Sequence, residues 1–590
     1  MDNFEDNCVE NEQNRMIQAW IKSICRAPFT QESFDEGAEQ LIASIFDAQQ
    51  RGDSCIDVSP EDIKLLKDLV KSATEVQQLQ QHYQAAPFVY SEPYLYLYRY
   101  WALEHAIAQH VVRLATQRIT PVELTAQHKA LLSDAYQAEA LQLVSKQAFS
   151  LITGGPGTGK TYTLARIIAV LDQETADLRI AMAAPTGKAA QRMKEALMAS
   201  IQDPALAAYD IKNQVLNPVT LHRLLGLGKK GIAKFNERQP LPYDLIVVDE
   251  ASMLDLNLAK MLFAAVPKGC RLILLGDAQQ LASVEVGSVL ADLQQIPALK
   301  ANHVHLQNSR RFSDDAKIGQ MARFIQNNAS EHQVLPRFEA EVVEASVIRT
   351  IDLATVLTDL IQLEYLPTAD ELKSANDYGQ YYDQLTLGFN DFIAALKTHG
   401  EEGFDQYVNS VLQAFDRYRI LSAVRHGALG LTQLNEQIEQ RVLQATQQFK
   451  KGEWYIGRPV MMSYNDYQLG LSNGDIGLCF WSSRMGQAQF EVYFPSLDKW
   501  VPATRLPKNI ETAFALTIHK SQGSEFAHTA VVLEASAKEL LSKELIYTAI
   551  TRAKKAVSLL VDRTSFAQAM TRKTTRASGL AQQINQIFDE

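Results

Sequence analysis

Hydrophobic residues recur along this chain with different periods, and the changes of period divide it. Between residues 13 and 85, Met16, Ile17, Trp20, Ile21 and Ile24 fall on one face of a helical repeat, which predicts helices. From Pro87 the pattern turns to alternation. Tyr94, Tyr96, Tyr98 and Tyr100 share one face of a predicted strand, with Leu95 and Leu97 opposite. An aromatic strand can stack bases, but such strands are more often core. A helix is predicted from Ala102 to Gln117, and Arg118 to Leu124, with Pro121, reads as a linker.

From about residue 130, short apolar runs alternate with helical patterns. Phe149–Thr153, Arg179–Ala184, Leu245–Asp249 and Arg271–Gly276 are candidate strands, each ending in a loop. This is the pattern of a parallel sheet with helices on both faces. A second α/β stretch covers about 347–445 and resumes at about 512. Between its parts, Gly452 to Pro507 carries short β-like runs and turns such as Ser472-Asn473-Gly474-Asp475, which predicts a small inserted β-barrel. The expected class is therefore α/β. The expected units are a helical N-terminal domain over 1–115, a first α/β domain over 116–345 and a second over 346–590, the last interrupted by the barrel at 450–510.

A length of 590 residues allows several cores, and 46% apolar residues is ordinary for a globular chain. No stretch of about 18 apolar residues is present, so no membrane span is predicted. The opening MDNFEDNCVENEQNR is acidic and polar, unlike a secretory signal or a transit peptide. Cys8, Cys25, Cys55, Cys270 and Cys479 are scattered without a C-x-x-C pair, which argues against a zinc or iron–sulfur site and fits a reducing cytoplasm. Net charge is −11. A protein held on nucleic acid by its overall field would be basic, so any such contact must be local, made in a groove. The first sixty residues hold twelve Asp/Glu against four Lys/Arg, which suits a protein partner better than DNA.

The chemistry begins at residues 154–161, Gly154, Gly155, Pro156, Gly157, Thr158, Gly159, Lys160 and Thr161. They form a complete phosphate-binding loop between a predicted strand and a predicted helix. Glycines let backbone N–H groups close around phosphate oxygens, Lys160 can reach the β- and γ-phosphates, and Thr161 can bind Mg²⁺. The substrate is therefore a nucleoside triphosphate. Some ninety residues on, the apolar run Leu245–Val248 ends in Asp249 and Glu250. Asp249 is suited to hold Mg²⁺ through water and Glu250 to orient the attacking water. A third strand end, Leu275 to Leu281, delivers the uncharged amide of Gln280 to the place of the γ-phosphate, where it can report hydrolysis. An arginine of the pair Arg310 and Arg311, in Ser309-Arg310-Arg311-Phe312, and Arg552, in Thr551-Arg552-Ala553, are candidates to meet charge spread over the γ-phosphate oxygens in the transition state.

Together these segments resemble the motifs of superfamily 1 helicases. Ala184 to Ala190 is similar to motif Ia, Asp249 to Ser252 to motif II, and Gly276 to Leu281 to motif III. Arg311 falls in motif IV, Thr517 to Glu525 in motif V and Tyr547 to Ala553 in motif VI. The segments Thr220 to Gly226, Trp454 to Met461 and Asn473 to Gly477, with the stretch Tyr94 to Trp101, narrow the resemblance to the RecD family, the alpha subunits of exodeoxyribonuclease V.

The resemblance implies two RecA-like parallel-sheet motor domains, with the inserted barrel SH3-like. It implies an ATP- and Mg²⁺-dependent 5′→3′ single-stranded DNA translocase and helicase of the SF1B type, working beside RecB-like and RecC-like subunits in double-strand break repair. It assigns Gln137 to the adenine, and Arg311 and Arg552 to the γ-phosphate. It assigns DNA contact to Pro185, Thr186, Lys188, Thr220 and His222 of the first domain and to Thr517, His519, Lys520 and Ser524 of the second. These are small, hydroxyl and basic residues suited to phosphate and sugar contact without base readout. Lys229, Lys230, Lys234 and Arg238 read either as a strand-separating hairpin or as a solvated loop. Two alternatives stay open: a stand-alone SF1B helicase, and a regulatory subunit whose ATPase is dispensable. No carboxylate cluster outside these motifs suggests a nuclease, so cutting would belong to a partner.

Overall fold

The computed structural model describes the chain apart from residues 1–14, 27–28, 31, 79–85, 210, 212–216, 229–230, 310–315, 328–332, 354–358, 368–377, 399–402, 467, 483, 485, 539 and 590. Near the N-terminus four short strands, β1 (Cys55–Asp57), β2 (Val70–Ser72), β3 (Phe88–Ser91) and β4 (Tyr94–Leu97), form a sheet in the order β1-β4-β3-β2. The N-terminal part is thus not simply helical. Helices over residues 15–24 and Glu36–Gln50 pack Ile21, Ile42 and Ile45 against Phe88 and Leu95 of this sheet. Strands of three or four residues hold too few positions for alternation to register against helical neighbours.

The tyrosine strand is also shorter than the alternation predicts. Tyr94 and Tyr96 lie on β4, whereas Tyr98 and Tyr100 open a helix over Tyr98–Thr116 that begins before Ala102. Tyr96 is fully buried and Trp101 nearly so, which is the core fate rather than a base-stacking one.

The first parallel sheet consists of β5 (Phe149–Gly154), β6 (Ile180–Ala184), β7 (Val219–Thr220), β8 (Leu245–Val248), β9 (Arg271–Gly276) and β10 (His303–Leu306), in the order β10-β5-β9-β8-β6-β7. Successive residues face opposite layers. Leu151, Ile246 and Leu272 pack toward helices Tyr98–Thr116 and Leu256–Ala265. Ile152, Val247 and Ile273 pack toward helices Ala135–Lys146, Lys160–Glu174 and Gly187–Ile201. Both faces are covered, so the strands read as near-continuous apolar runs.

Two expected boundaries move. Ile107, Val111 and Leu114 are fully buried in the core of the first sheet, so the helix ending at Thr116 is a layer of that unit rather than part of a separate N-terminal domain. The last helix, Leu580–Asp589, places Leu580 and Ile584 in the same core, although its sequence follows the second α/β stretch.

The second parallel sheet starts with β11 (Leu360–Tyr365) and β12 (Tyr418–Ser422). An antiparallel insertion follows: β13 (Pro459–Met461), β14 (Ile476–Ser482), β15 (Gln489–Phe494), β16 (Lys499–Pro502) and β17 (Glu511–Thr512), in the order β16-β15-β14-β13-β17. Then β18 (Ala515–Thr517), β19 (Phe526–Leu533) and β20 (Ala553–Val561) complete the order β11-β20-β19-β12-β18. The insertion has its own core of Val460, Cys479, Val492, Phe494 and Val501. Alternate residues of β14, Leu478 and Phe480, pack into the second unit instead. Ile318, Met321 and Ile325 of helix Lys317–Asn327 join the core containing Val557 and Leu559, so the chain has crossed to the second sheet before the expected boundary at 345.

Candidate functional site

The phosphate loop follows β5 and ends at Gly159, which caps the helix Lys160–Glu174. Gly157 and Gly159 have φ of 78° and 83°, the left-handed region that glycine alone enters freely. A Cβ on Gly159 would lie 2.6 Å from Gln137 Nε2 and would displace that amide. The Lys160 ammonium donates to the Gly154 and Gly155 carbonyls at 2.6 and 3.2 Å, which folds its stem back over the loop. Thr158 Oγ1 donates to the Gly155 carbonyl at 2.9 Å, closing the same turn.

Gln137, expected at the adenine, lies directly behind the loop. Its Nε2 donates to the Thr158 carbonyl at 3.1 Å, while its buried Oε1 has no hydrogen-bond partner. A buried carbonyl oxygen left without a donor is costly.

The loop forms one wall of a cleft of about 450 Å³. Lys160, Thr161, Asp249, Glu250 and Gln280 stand on that wall, and Gly523, Glu525, Arg552 and Lys554 come from the second sheet's side. Asp249 is partly buried, and loss of solvation together with the adjacent Glu250 pushes its carboxyl up to about 6, with Lys160 working in the opposite direction. The Glu250 N–H donates to Asp249 Oδ1 at 2.8 Å, and Glu250 itself adopts φ 53°, a left-handed conformation uncommon for a non-glycine residue.

Gln280 joins the two walls. Its Nε2 donates to Asp277 Oδ2 at 3.2 Å, and its Oε1 accepts from Arg552 Nη2 at 2.9 Å. Arg552 is buried and also donates to the Thr548 and Ser524 carbonyls at 3.1 and 3.3 Å. Tyr547 donates to Asp277 Oδ2 at 3.0 Å. Arg311 lies outside the described residues. Ser309, two residues earlier, donates from Oγ to the Pro156 carbonyl of the phosphate loop at 3.0 Å.

Two further charges in the cleft escaped sequence reasoning. Arg192 pairs with Glu525 at 2.7 Å and donates to the Gly523 carbonyl at 3.1 Å, bridging the walls. Lys554 lies 3.4 Å from the same Glu525. The available signal for Arg192 was its place one helical turn after Lys188, on the same face of helix Gly187–Ile201.

The residues expected at DNA are spread over several environments. Thr186 follows β6 and Thr220 ends β7, at the sheet edge away from β10, and each hydroxyl caps the helix after it. His222 is exposed beside Thr220, and Pro185 is partly so. Thr517 ends β18, the edge strand of the second sheet, and its hydroxyl accepts from the Lys520 N–H at 3.3 Å. Lys520 pairs with Glu511 at 3.4 Å. Three residues depart from an open DNA face. Ser524 is fully buried beside Arg552. His519 lines a separate cavity with Arg576 and Tyr547. Lys188 reaches 5.4 Å from the Phe526 ring across the domain junction, where burial and the nearby Arg419 push its ammonium down to about 7. Lys234 and Arg238 are exposed in an irregular loop, and Lys229 and Lys230 lie outside the described residues.

Comparison with known proteins agrees with this arrangement at the family scale. Residues 137–286 match the AAA domain family, and residues 512–560 match the UvrD-like helicase C-terminal domain. The RecBCD enzyme subunit RecD of Haemophilus influenzae is 32% identical over 566 residues, spanning 85% of this chain and 82% of that protein. The ATP-dependent RecD2 DNA helicase of Deinococcus radiodurans is 28% identical, spanning 71% of this chain but only 47% of that protein. A Bacteroides Pif1 helicase solved with ADP-AlF3 and single-stranded DNA covers 78% of this chain and 97% of its own at 17% identity, with a TM-score of 0.39, too low to carry an argument.

Proposed function

The chain belongs to the RecD family of RecBCD enzyme subunits, and on that premise we propose that it is an ATP-driven 5′→3′ single-stranded DNA motor and helicase. The same reading places it in a heterotrimer with RecB-like and RecC-like subunits that acts on duplex ends in the cytoplasm. Coverage supports a subunit over a stand-alone enzyme, since the chain spans 82% of the RecD relative and 47% of the RecD2 helicase. Within this reading the two parallel sheets are RecA-like motor domains and the antiparallel insertion is an SH3-like barrel.

The observation that carries the proposal is the hydrogen bond between Gln280 and Arg552 across a cleft that also holds Lys160, Asp249 and Glu250. ATP is the substrate. Backbone N–H groups from Gly154 to Thr161 and the Lys160 ammonium bind its phosphates, and Gln137 Oε1 accepts from the adenine amine. Glu250 orients water for attack on the γ-phosphate, while Arg552, with Arg311, stabilises the charge that develops there. A divalent cation fits the donor set. The Thr161 hydroxyl and the Asp249 carboxylate face one cleft, and the adjacent Asp249 and Glu250 carboxylates place negative charge there that a cation would offset. When bound, Mg²⁺ supplies charge neutralisation at the phosphates.

Once the γ-phosphate is lost, Arg552 no longer has it as a ligand, and the two walls are free to part. Grip on DNA at Pro185, Thr186, Thr220 and His222 on one side, and at Thr517 and Lys520 on the other, then alternates as the walls close and open. His519, Ser524 and Lys188 would have to be uncovered by that motion to reach a strand. The acidic N-terminal region is read as the surface that docks the RecC-like subunit.

The site assignment is tested by two substitutions in the full-length chain. Lys160→Gln abolishes DNA-stimulated ATPase with the fold intact by circular dichroism, because the charge meeting the β- and γ-phosphates is gone. Glu250→Gln retains ATP binding and loses turnover. Near-normal turnover in either variant contradicts the assignment.

A further inference from the structure

Gln280 opens a loop that runs to Ser288, and this loop is anchored twice. Near its start, the Leu281 N–H donates to Thr548 Oγ1 at 2.8 Å, and Gln522 Nε2 donates to the Leu281 carbonyl at 2.7 Å, both from the second sheet's side. Its far end is held by Arg576. Nη1 donates to the Glu285 and Gly287 carbonyls at 2.9 and 2.8 Å, and Nη2 donates to the Ser283 carbonyl at 2.7 Å. The Ser283 hydroxyl bonds the same Glu285 and Gly287 carbonyls at 2.9 and 3.0 Å. A guanidinium is a planar, rigid fork, so three carbonyls on one fork fix the shape of the loop rather than merely its position.

Arg576 is in turn held by the N-terminal region. The Gly287 N–H donates to the Gly52 carbonyl at 3.0 Å. Gly52 has φ +89°, and a Cβ there would lie 2.5 Å from Arg576 Cζ, so the guanidinium packs directly on the Gly52 backbone. The residues after Arg576 continue the attachment. The Ala577 N–H donates to Asp53 Oδ1 at 2.8 Å, and the Ser54 N–H donates to the Ala577 carbonyl at 3.0 Å. Ser578 and Gln583 donate to the buried Glu104 at 3.0 and 3.2 Å, and Ser54 and Tyr96 donate to the same carboxyl. Residues 576–583 therefore strap the loop after Gln280 to the region that carries β1 and β4.

We propose that Arg576 is a positioning residue for ATP hydrolysis: it sets the loop from Leu281 to Gly287, and with it the placement of Gln280 against Arg552, and it ties that placement to Gly52–Ser54 in the N-terminal region. The inference rests on the proposed ATPase reading of the cleft. It adds a physical route by which whatever holds the N-terminal region bears on the pace of hydrolysis, without contact with either nucleotide or DNA.

Two variants displace the guanidinium by different means. Arg576→Ala removes it, and Gly52→Ala, which also strains the backbone at its left-handed φ, pushes it aside while leaving the arginine in the chain. The assays are single-stranded-DNA-stimulated ATPase of the full-length chain, affinity for a fluorescent ADP analogue, and thermal melting. Both variants are expected to lose about 10- to 100-fold in kcat through misplacement of Gln280. Nucleotide affinity and KM for ATP should stay within about twofold, because the phosphate loop is untouched. Arg576→Lys, which keeps the charge without the fork, should recover part of the loss and serves as the test if Arg576→Ala does not fold. Folded variants with wild-type kcat overturn the proposal, as does a loss of nucleotide affinity in step with kcat. Absence of turnover in the wild-type chain would instead overturn the ATPase reading beneath it.

Discussion

Gln280 and Arg552 stand 272 residues apart in the chain, yet one hydrogen bond joins them. Arg552 is the more telling of the two, since it is buried and carries no carboxylate partner at hydrogen-bond distance among the described residues. Its three acceptors are neutral oxygens, which leaves its charge available to an incoming phosphate. Arg552→Ala is accordingly expected to lower DNA-stimulated kcat by about 10³-fold or more, with the affinity for a fluorescent ADP analogue little changed. An unaltered kcat would remove Arg552 from the hydrolysis step. At this scale much of the site could be read from sequence, because its signals are local. The glycines of the phosphate loop stand next to one another, and Asp249 and Glu250 follow directly on an apolar strand. Arg192 gave no comparable signal, for its partners Gly523 and Glu525 come from the opposite wall and meet it only once the two sheets come together.

Among the elements, the helix Tyr98–Thr116 departs most from expectation. Tyrosine alternation continued through a strand-to-helix junction, so period alone could not mark the change at Tyr98. This helix carries Glu104, whose carboxyl accepts from Ser54, Tyr96, Ser578 and Gln583. Burial pushes it up to about 7, its hydrogen bonds opposing in part. A raised carboxyl favours the protonated form in the fold. Its contribution is therefore full below the unfolded-state value, which is about 4.3, and is lost as pH rises through about 7. The ceiling on that loss is about 4 kcal/mol. Melting temperatures of the wild type and Glu104→Gln, measured from pH 5 to pH 8, should show the wild type losing more stability as pH rises. Parallel curves for the two proteins would contradict this account of Glu104. The partly buried Asp292 and Glu534 are raised by loss of solvation in the same sense, so a residual slope is expected in the variant.

Over the whole molecule, the two parallel sheets were legible because each buried strand is an apolar run followed by a loop. The assembly of layers was not. Leu580 and Ile584 come last in the chain and complete the core of the first sheet, while Ile318 and Met321 belong to the second sheet before the expected boundary. No periodicity records which core a helix joins. One consequence is that removing residues 1–115 would strip Ile107, Val111 and Leu114 from the first core, so such a truncation reports on folding rather than on docking. The central claim is that one nucleotide cleft shared by two sheets drives movement along DNA in the 5′→3′ direction. The most direct measurement is unwinding, by the full-length chain with ATP and Mg²⁺, of two duplexes that differ only in carrying a 5′ or a 3′ single-stranded tail. The account predicts unwinding from the 5′ tail alone, and none by Lys160→Gln. Unwinding from the 3′ tail, or unwinding that survives Lys160→Gln, would contradict it.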